Sequence, residues 1–179
     1  MPHPVDAVYQ ACDQFASPQK ELLYDSVLHA NAQTVLEIGT NIGDSSRIFS
    51  TALRVTSGHL YSLDCDGPNC TGLAGNWLET FDCSNITFLI GSSLDYPWDR
   101  HVDVLLVDGD HGYETALSDL TRFGPWVRTG GRILIHDTRL FASVAHAVHH
   151  WASRVQVAYV SYPEGVGLSL VVANAWPPT

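Results

Sequence analysis

Val35-Leu36-Glu37-Ile38-Gly39-Thr40-Asn41-Ile42-Gly43 is the stretch whose reading decides the fold. An apolar run broken only by Glu37 ends at two glycines, and Asp44-Ser45-Ser46 then opens a helical pattern. Strand, tight turn and helix N-terminus in that order make the first unit of an open α/β sheet, the place where such sheets hold nucleoside-bearing ligands. Gly39 and Gly43 stand where the backbone must approach a ligand closely or take positive φ. Asn41 occupies the place of the second glycine in a GxGxxG pattern, so this is not the dinucleotide fingerprint.

Working outward, short and nearly continuous apolar runs alternate with helix-length segments. The runs predict strands over Thr34–Ile38, His59–Leu63, Ile86–Ile90, Val102–Val107 and Arg132–His136, each buried on both faces of a parallel sheet. Helical patterns cover Val5–Phe15, Pro18–Ala30, Ser45–Val55, Tyr113–Val127 and Leu140–Ala152, with a looser region at Leu73–Phe81. The C-terminus breaks this rhythm. Val155–Ser161 and Gly167–Ala173 are separated by too little chain for a crossover helix, so they predict an antiparallel hairpin. The expected fold is α/β, a Rossmann-like doubly wound sheet of seven strands, five parallel plus the C-terminal antiparallel hairpin. One domain spans residues 1–179, with N-terminal helices in 1–31 and the core in 33–174.

Bulk properties narrow the partners. A formal charge of −10 and a single lysine, Lys20, argue against binding a nucleic-acid backbone. No apolar run is long enough for a membrane span, and no basic region followed by an apolar core opens the chain, so a cytoplasmic protein is expected. Cys12, Cys65, Cys70 and Cys83 match no zinc spacing and read as reduced thiols. The sequons at Asn69 and Asn85 carry no weight without secretion. His146, His149 and His150 read as a solvated helix face or subunit contact, and Trp77, Trp98, Trp126 and Trp151 as core, with Trp98 also a candidate pocket wall.

Chemistry gathers at the predicted strand ends. Asp64 ends the second strand about twenty residues past Gly43, placed to accept the hydroxyls of a ribose; Asp66 is the alternative. Ser45 sits in a first helical turn, with backbone amides suited to a carboxylate. Gly91-Ser92-Ser93 follows the third strand. Val107-Asp108-Gly109-Asp110-His111-Gly112-Tyr113-Glu114 follows the fourth, and Ile135-His136-Asp137-Thr138 ends the fifth. Neighbouring strands lie about 4.8 Å apart, which brings Asp108 and Asp137 toward one another. Converging carboxylates repel unless a proton or cation sits between them, and a divalent metal resolves the repulsion.

The glutamate-glycine-three-residues-glycine pattern resembles motif I of the class I S-adenosylmethionine-dependent methyltransferases. VDGDHGYE with GGRILIHDT resembles the small-molecule O-methyltransferases that include macrolide-sugar and cephalosporin-pathway enzymes, and more distantly the catechol-type enzymes. The similarity spans roughly Thr34 to Thr138, and the terminal hairpin agrees with it. It implies S-adenosylmethionine as cofactor, held by Glu37, Gly39, Gly43, Ser45, Asp64, Ser92, Ser93 and Asp108. It implies magnesium on Asp108 and the pair His136-Asp137, a small hydroxylated substrate, and Asp110 or His111 as general base. Relatives also use their N-terminal helices to cover the site or form homodimers.

His136 departs from the family's acidic residue. Imidazole is a poor magnesium ligand, so the expectation divides between manganese, a His136 that turns away, and a lost metal. Transfer would be in line from an activated sulfonium, with the protein aligning the acceptor oxygen and removing its proton. Histidine suits proton removal near neutral pH, which favours His111. Two competing readings remain: a cofactor-binding protein without turnover, and a nucleotide-binding oxidoreductase, which Asn41 and the hairpin oppose.

Overall fold

The computed structural model describes residues 15–66 and 81–174. The expected first helix and the Leu73–Phe81 region lie outside the described residues except for Phe15 and Phe81, as do Cys12, Cys70, Trp77 and the Asn69 sequon. Helix α1 (Ser17–His29) leads into β1 (Thr34–Ile38), α2 (Asp44–Thr56), β2 (His59–Asp64), β3 (Ile86–Ile90) and β4 (Val102–Val107). Helix α3 (Tyr113–Phe123), a 3-10 turn at Gly124–Trp126, β5 (Val127–His136), α4 (Ala142–Val155), β6 (Val160–Tyr162) and β7 (Leu168–Val172) complete the chain.

The strands form one seven-stranded sheet in the order β3-β2-β1-β4-β5-β7-β6. β1 to β5 run parallel, and β7 pairs antiparallel with both β5 and β6. The expected architecture is therefore the observed one. Strand order reverses between β1 and β4, so a crevice opens outside their carboxyl ends.

Side-chain alternation divides the core into two layers. Leu36 and Ile38 of β1 and Leu105 and Val107 of β4 pack with Leu120, Phe123, Val148 and Trp151 on the α3/α4 face. Val35, Val104 and Leu106 pack with Leu23, Val27, Ile48 and Phe49 on the α1/α2 face. Each fully buried side chain of this size contributes about 1.5–3 kcal/mol, which holds the strand ends in fixed register. Within β4 the buried Asp103 accepts the backbone N–H groups of Gln33 at 2.7 Å and Thr34 at 2.9 Å, fixing the start of β1.

Several boundaries differ from the sequence reading, α4 among them, at Ala142–Val155 rather than Leu140–Ala152. β5 begins at Val127 rather than Arg132, because Gly130 takes φ +85° and lets the strand continue past a register shift opposite Val102–Val104. Helix α3 stops at Phe123, where Gly124-Pro125 tightens the chain into the 3-10 turn. The hairpin strands are shorter than expected, at Val160–Tyr162 and Leu168–Val172. Among the described residues no helix is long and apolar enough to cross a membrane.

Candidate active site

A cavity of about 660 Å³ opens at the carboxyl ends of the parallel strands. The turn after β1, the end of β2, the Gly91–Leu94 turn, the Asp108–His111 loop and the His136-Asp137 pair all border it. Its size suits a ligand of nucleoside dimensions or larger.

The glycine turn has a structural cause besides any ligand. Gly39 takes φ +94°, and a Cβ there would stand 2.0 Å from the Asp108 carbonyl oxygen. Only glycine lets β1 and β4 end side by side at this point. Asn41 adopts φ 44°, which asparagine tolerates, and Gly43 takes φ 78° as the N-cap of α2, its N–H donating to the Thr40 carbonyl at 2.8 Å. Ser45 lies in the first turn of α2 and borders the cavity; Gly43 itself does not.

Glu37 is fully buried beneath this turn and also lies off the cavity lining. Its Oε2 accepts from the Ser46 and Ser62 hydroxyls, while Oε1 has no partner. Ser62 reaches on to the Thr40 hydroxyl at 2.6 Å, so the carboxyl anchors the turn to β2. Burial pushes its pKa up to about 7, with the Asp108 charge adding to the rise and the hydroxyls of Ser45, Ser46 and Ser62 opposing it.

Asp64 ends β2 as expected and is already engaged. Its Oδ2 accepts the N–H groups of Thr40 at 2.9 Å and Asn41 at 3.0 Å, and Oδ1 accepts that of Asp66 at 3.0 Å. Each carboxylate oxygen accepts more than one hydrogen bond, so acceptor capacity remains toward the cavity. In the next turn the Ser92 hydroxyl accepts the Leu94 N–H at 3.2 Å, and Ser93 borders the cavity beside it. Trp98 packs edge-on against Tyr61 and is not part of the wall. Trp151 is core, and His146, His149 and His150 are exposed on α4.

Strand register determines the acid pair. Val107 pairs with Ile135, and one step further Asp108 meets His136 rather than Asp137. His136 Nδ1 donates to Asp108 Oδ1 at 2.9 Å, and the same nitrogen lies 3.7 Å from Asp137 Oδ2. The His136 ring packs at a tilt against Phe15, with centroids 4.2 Å apart, and its Nε2 is buried without a partner. Burial alone would lower the His136 pKa; the Asp108 hydrogen bond and the two carboxylate charges outweigh it and leave it raised. Burial raises Asp108, against the pull of His136.

Asp137 takes φ 60°, an uncommon backbone state that leaves the strand direction and presents its carboxylate to His111. His111 Nε2 lies 2.6 Å from Asp137 Oδ2. The His111 ring lies parallel to Phe141 at 4.1 Å, and its carbonyl accepts the Ser143 hydroxyl at 2.6 Å, so helix α4 and the turn before it fix the imidazole. Asp110 folds back on its own turn, Oδ1 accepting the Gly112 N–H at 2.7 Å.

A donor atom each from Asp108, His111 and Asp137 lies within 4.8 Å of the others. His111 thus joins the two carboxylates in one group, while His136 Nδ1 sits against Asp108 on the other side. Two carboxylates and an imidazole fit a borderline divalent ion such as manganese better than magnesium.

Sequence reading missed Thr40, Thr115, Phe141, Ser143 and the buried Asp119. Asp119 stands among Ala116, Leu120 and Phe123, the buried positions of α3, and a carboxylate in that apolar register was the available signal.

The comparisons agree with this fold. No curated protein sequence matches the chain. An O-methyltransferase from Bacillus cereus in complex with S-adenosylhomocysteine is 17% identical, with a TM-score of 0.70 over 96% of this chain and 92% of that one. The O-methyltransferase TomG of Streptomyces achromogenes, involved in tomaymycin synthesis and solved with S-adenosylmethionine, is 18% identical, with a TM-score of 0.66 over 98% and 91%. The S-adenosylhomocysteine-bound methyltransferase PaMTH1 of Podospora anserina is 13% identical, with a TM-score of 0.68 over 97% and 88%. A family model described as methyltransferase domain matches residues 36–138, more than half of the chain and every strand end that builds the cavity, and the chain belongs to that methyltransferase family.

Proposed function

We propose that the protein transfers a methyl group from S-adenosylmethionine to a hydroxyl of a small molecule, with His111 as general base. The close approach of His111 Nε2 to Asp137 Oδ2, 2.6 Å apart at the cavity edge, carries this reading. With Nε2–H held by Asp137, Nδ1 is the nitrogen left to accept a proton, and Asp137 stabilises the imidazolium that forms. As the acceptor oxygen attacks the sulfonium methyl, the C–S pair returns to sulfur as a thioether and the hydroxyl proton passes to His111 Nδ1. Holding the two reactants in line supplies several kcal/mol of the barrier reduction.

The cofactor lies across the β1/β4 crevice in this reading. Ser45 and the α2 N-terminus take its carboxylate, and the turn from Gly39 to Gly43 gives the close backbone approach. Asp64 takes the ribose, Ser92 and Ser93 the base, and Asp108 the region beside the sulfonium. Glu37 serves indirectly by anchoring the turn. The −10 charge accords with a small substrate rather than nucleic acid, and the reading places the protein in the cytoplasm.

The convergence of Asp108, His111 and Asp137 favours a second reading, metal assistance. A bound divalent ion would lower the pKa of the acceptor hydroxyl. His111 would then be a ligand, and Asp110 would be the remaining candidate base. Calorimetric titration with S-adenosylhomocysteine, repeated with manganese, magnesium and chelator, separates the two. Binding indifferent to metal supports the His111–Asp137 base, and binding strengthened by manganese supports the metal site. No binding by folded protein refutes the cofactor assignment.

A further inference from the structure

Asp119 is a buried carboxylate that the chemistry above does not use. It is 0% exposed, on the face of α3 one turn beyond Thr115, which borders the cavity. Neither of its oxygens has a hydrogen-bond partner. A buried, unpartnered carboxylate is costly, and such a group calls for a donor supplied in the working state.

Two cavity-bordering residues stand against it. Gly109 has no side chain, and a Cβ there would lie 3.7 Å from Asp119 Oδ2. The Ser93 hydroxyl is close enough to pull the Asp119 pKa down, against the burial that raises it and the Asp110 charge that adds to the rise.

A serine hydroxyl carries one proton. If Asp119 takes that proton, Ser93 presents only lone pairs to the cavity. We infer that Asp119 is a positioning residue that fixes Ser93 as a hydrogen-bond acceptor, so that this end of the cavity selects a nucleobase bearing an exocyclic amine over one bearing a carbonyl. The inference rests on the nucleoside-cofactor reading above and adds the chemical basis of its base selectivity. A ligand amine donates to Ser93; a ligand carbonyl meets a lone pair backed by a carboxylate, a mismatch that polar sites reject strongly.

The test is calorimetric titration of S-adenosylhomocysteine and its hypoxanthine analogue, S-inosylhomocysteine, into the wild-type chain, Asp119→Asn and Ser93→Ala. Thermal melts verify that each variant is folded. The wild type prefers the adenine compound by about tenfold or more, as for one well-placed hydrogen bond with a charged partner. Asp119→Asn offers an amide that can donate to Ser93, frees its proton for the ligand and collapses the preference. Ser93→Ala removes the acceptor and does the same; it decides the matter alone if Asp119→Asn does not fold. Equal wild-type affinity for the two compounds, or a preference that survives in a folded variant, overturns the inference while leaving the cofactor assignment intact. Failure of the folded wild type to bind either compound overturns both.

Discussion

Replacing Glu37 with glutamine should flatten the dependence of stability on pH. The carboxyl is fully buried, one oxygen lacks a partner, and burial lifts its pKa from 4.5 to about 7. An acid whose pKa rises on folding binds its proton more tightly in the folded chain. Its contribution is therefore fully present below pH 4.5 and is lost as pH climbs through about 7. That rise corresponds to about 3 kcal/mol of unfolding free energy, or roughly 6–12 °C in Tm for a chain of this size. Glutamine is neutral throughout and mimics the protonated acid. The variant should match the wild type near pH 4.5 and exceed it by about 3 kcal/mol at pH 8. Asp119, raised to about 6 by burial, tilts both curves in the same direction, so the diagnostic quantity is their difference. Urea unfolding followed by tryptophan fluorescence, at fixed ionic strength across this range, measures it. Parallel curves would show that the buried carboxyl does not titrate there, and would refute the role assigned to burial.

Two further outcomes follow from the site. Asp137→Asn and His111→Gln should each lower kcat by about 10²–10⁴, the usual share of a general base, with S-adenosylhomocysteine affinity changed by less than about threefold; steady-state rates on an accepted hydroxyl compound, paired with calorimetry, check this. Gly39→Ala should lower unfolding free energy by about 3 kcal/mol, because the new Cβ would stand 2.0 Å from the Asp108 carbonyl at a φ of +94°. A shift in the urea midpoint reads the loss, and an unchanged midpoint would contradict the close approach of β1 and β4.

The sheet was legible because its strands are short apolar runs, and a strand buried on both faces needs no partner information to be recognised. The start of β5 was not legible. Thr129-Gly130-Gly131 reads as a turn, and only the pairing of Val102 with Val127 and Val104 with Arg132 shows that the strand runs through it. At the site, Asp108, Asp110, His111 and Asp137 were recognisable from their position at strand ends. Which of them touch was not, because a one-residue change of register exchanges His136 for Asp137 opposite Asp108. Glu37 shows the same limit. Its position in the motif was visible, but Ser46 and Ser62, which hold it away from the cavity lining, come from α2 and β2 and meet it only on folding.

His136 links these observations. In place of an acid, the chain puts an imidazole between two carboxylates, 2.9 Å from Asp108 and 3.7 Å from Asp137. Its ring packs at a tilt against Phe15 and its other nitrogen is buried, so at the cavity border it is placed to act as a fixed post for Asp108. Part of the repulsion that a metal would otherwise relieve is thereby relieved by the protein itself. What remains at the cavity edge is His111 with Asp137, and that imidazole faces an exclusive choice: a nitrogen bound to a metal cannot also collect the acceptor's proton. A protein that places an imidazole of its own 2.9 Å from Asp108 is under less demand for the metal, and the proton transfer in the proposed reading falls to the His111–Asp137 pair.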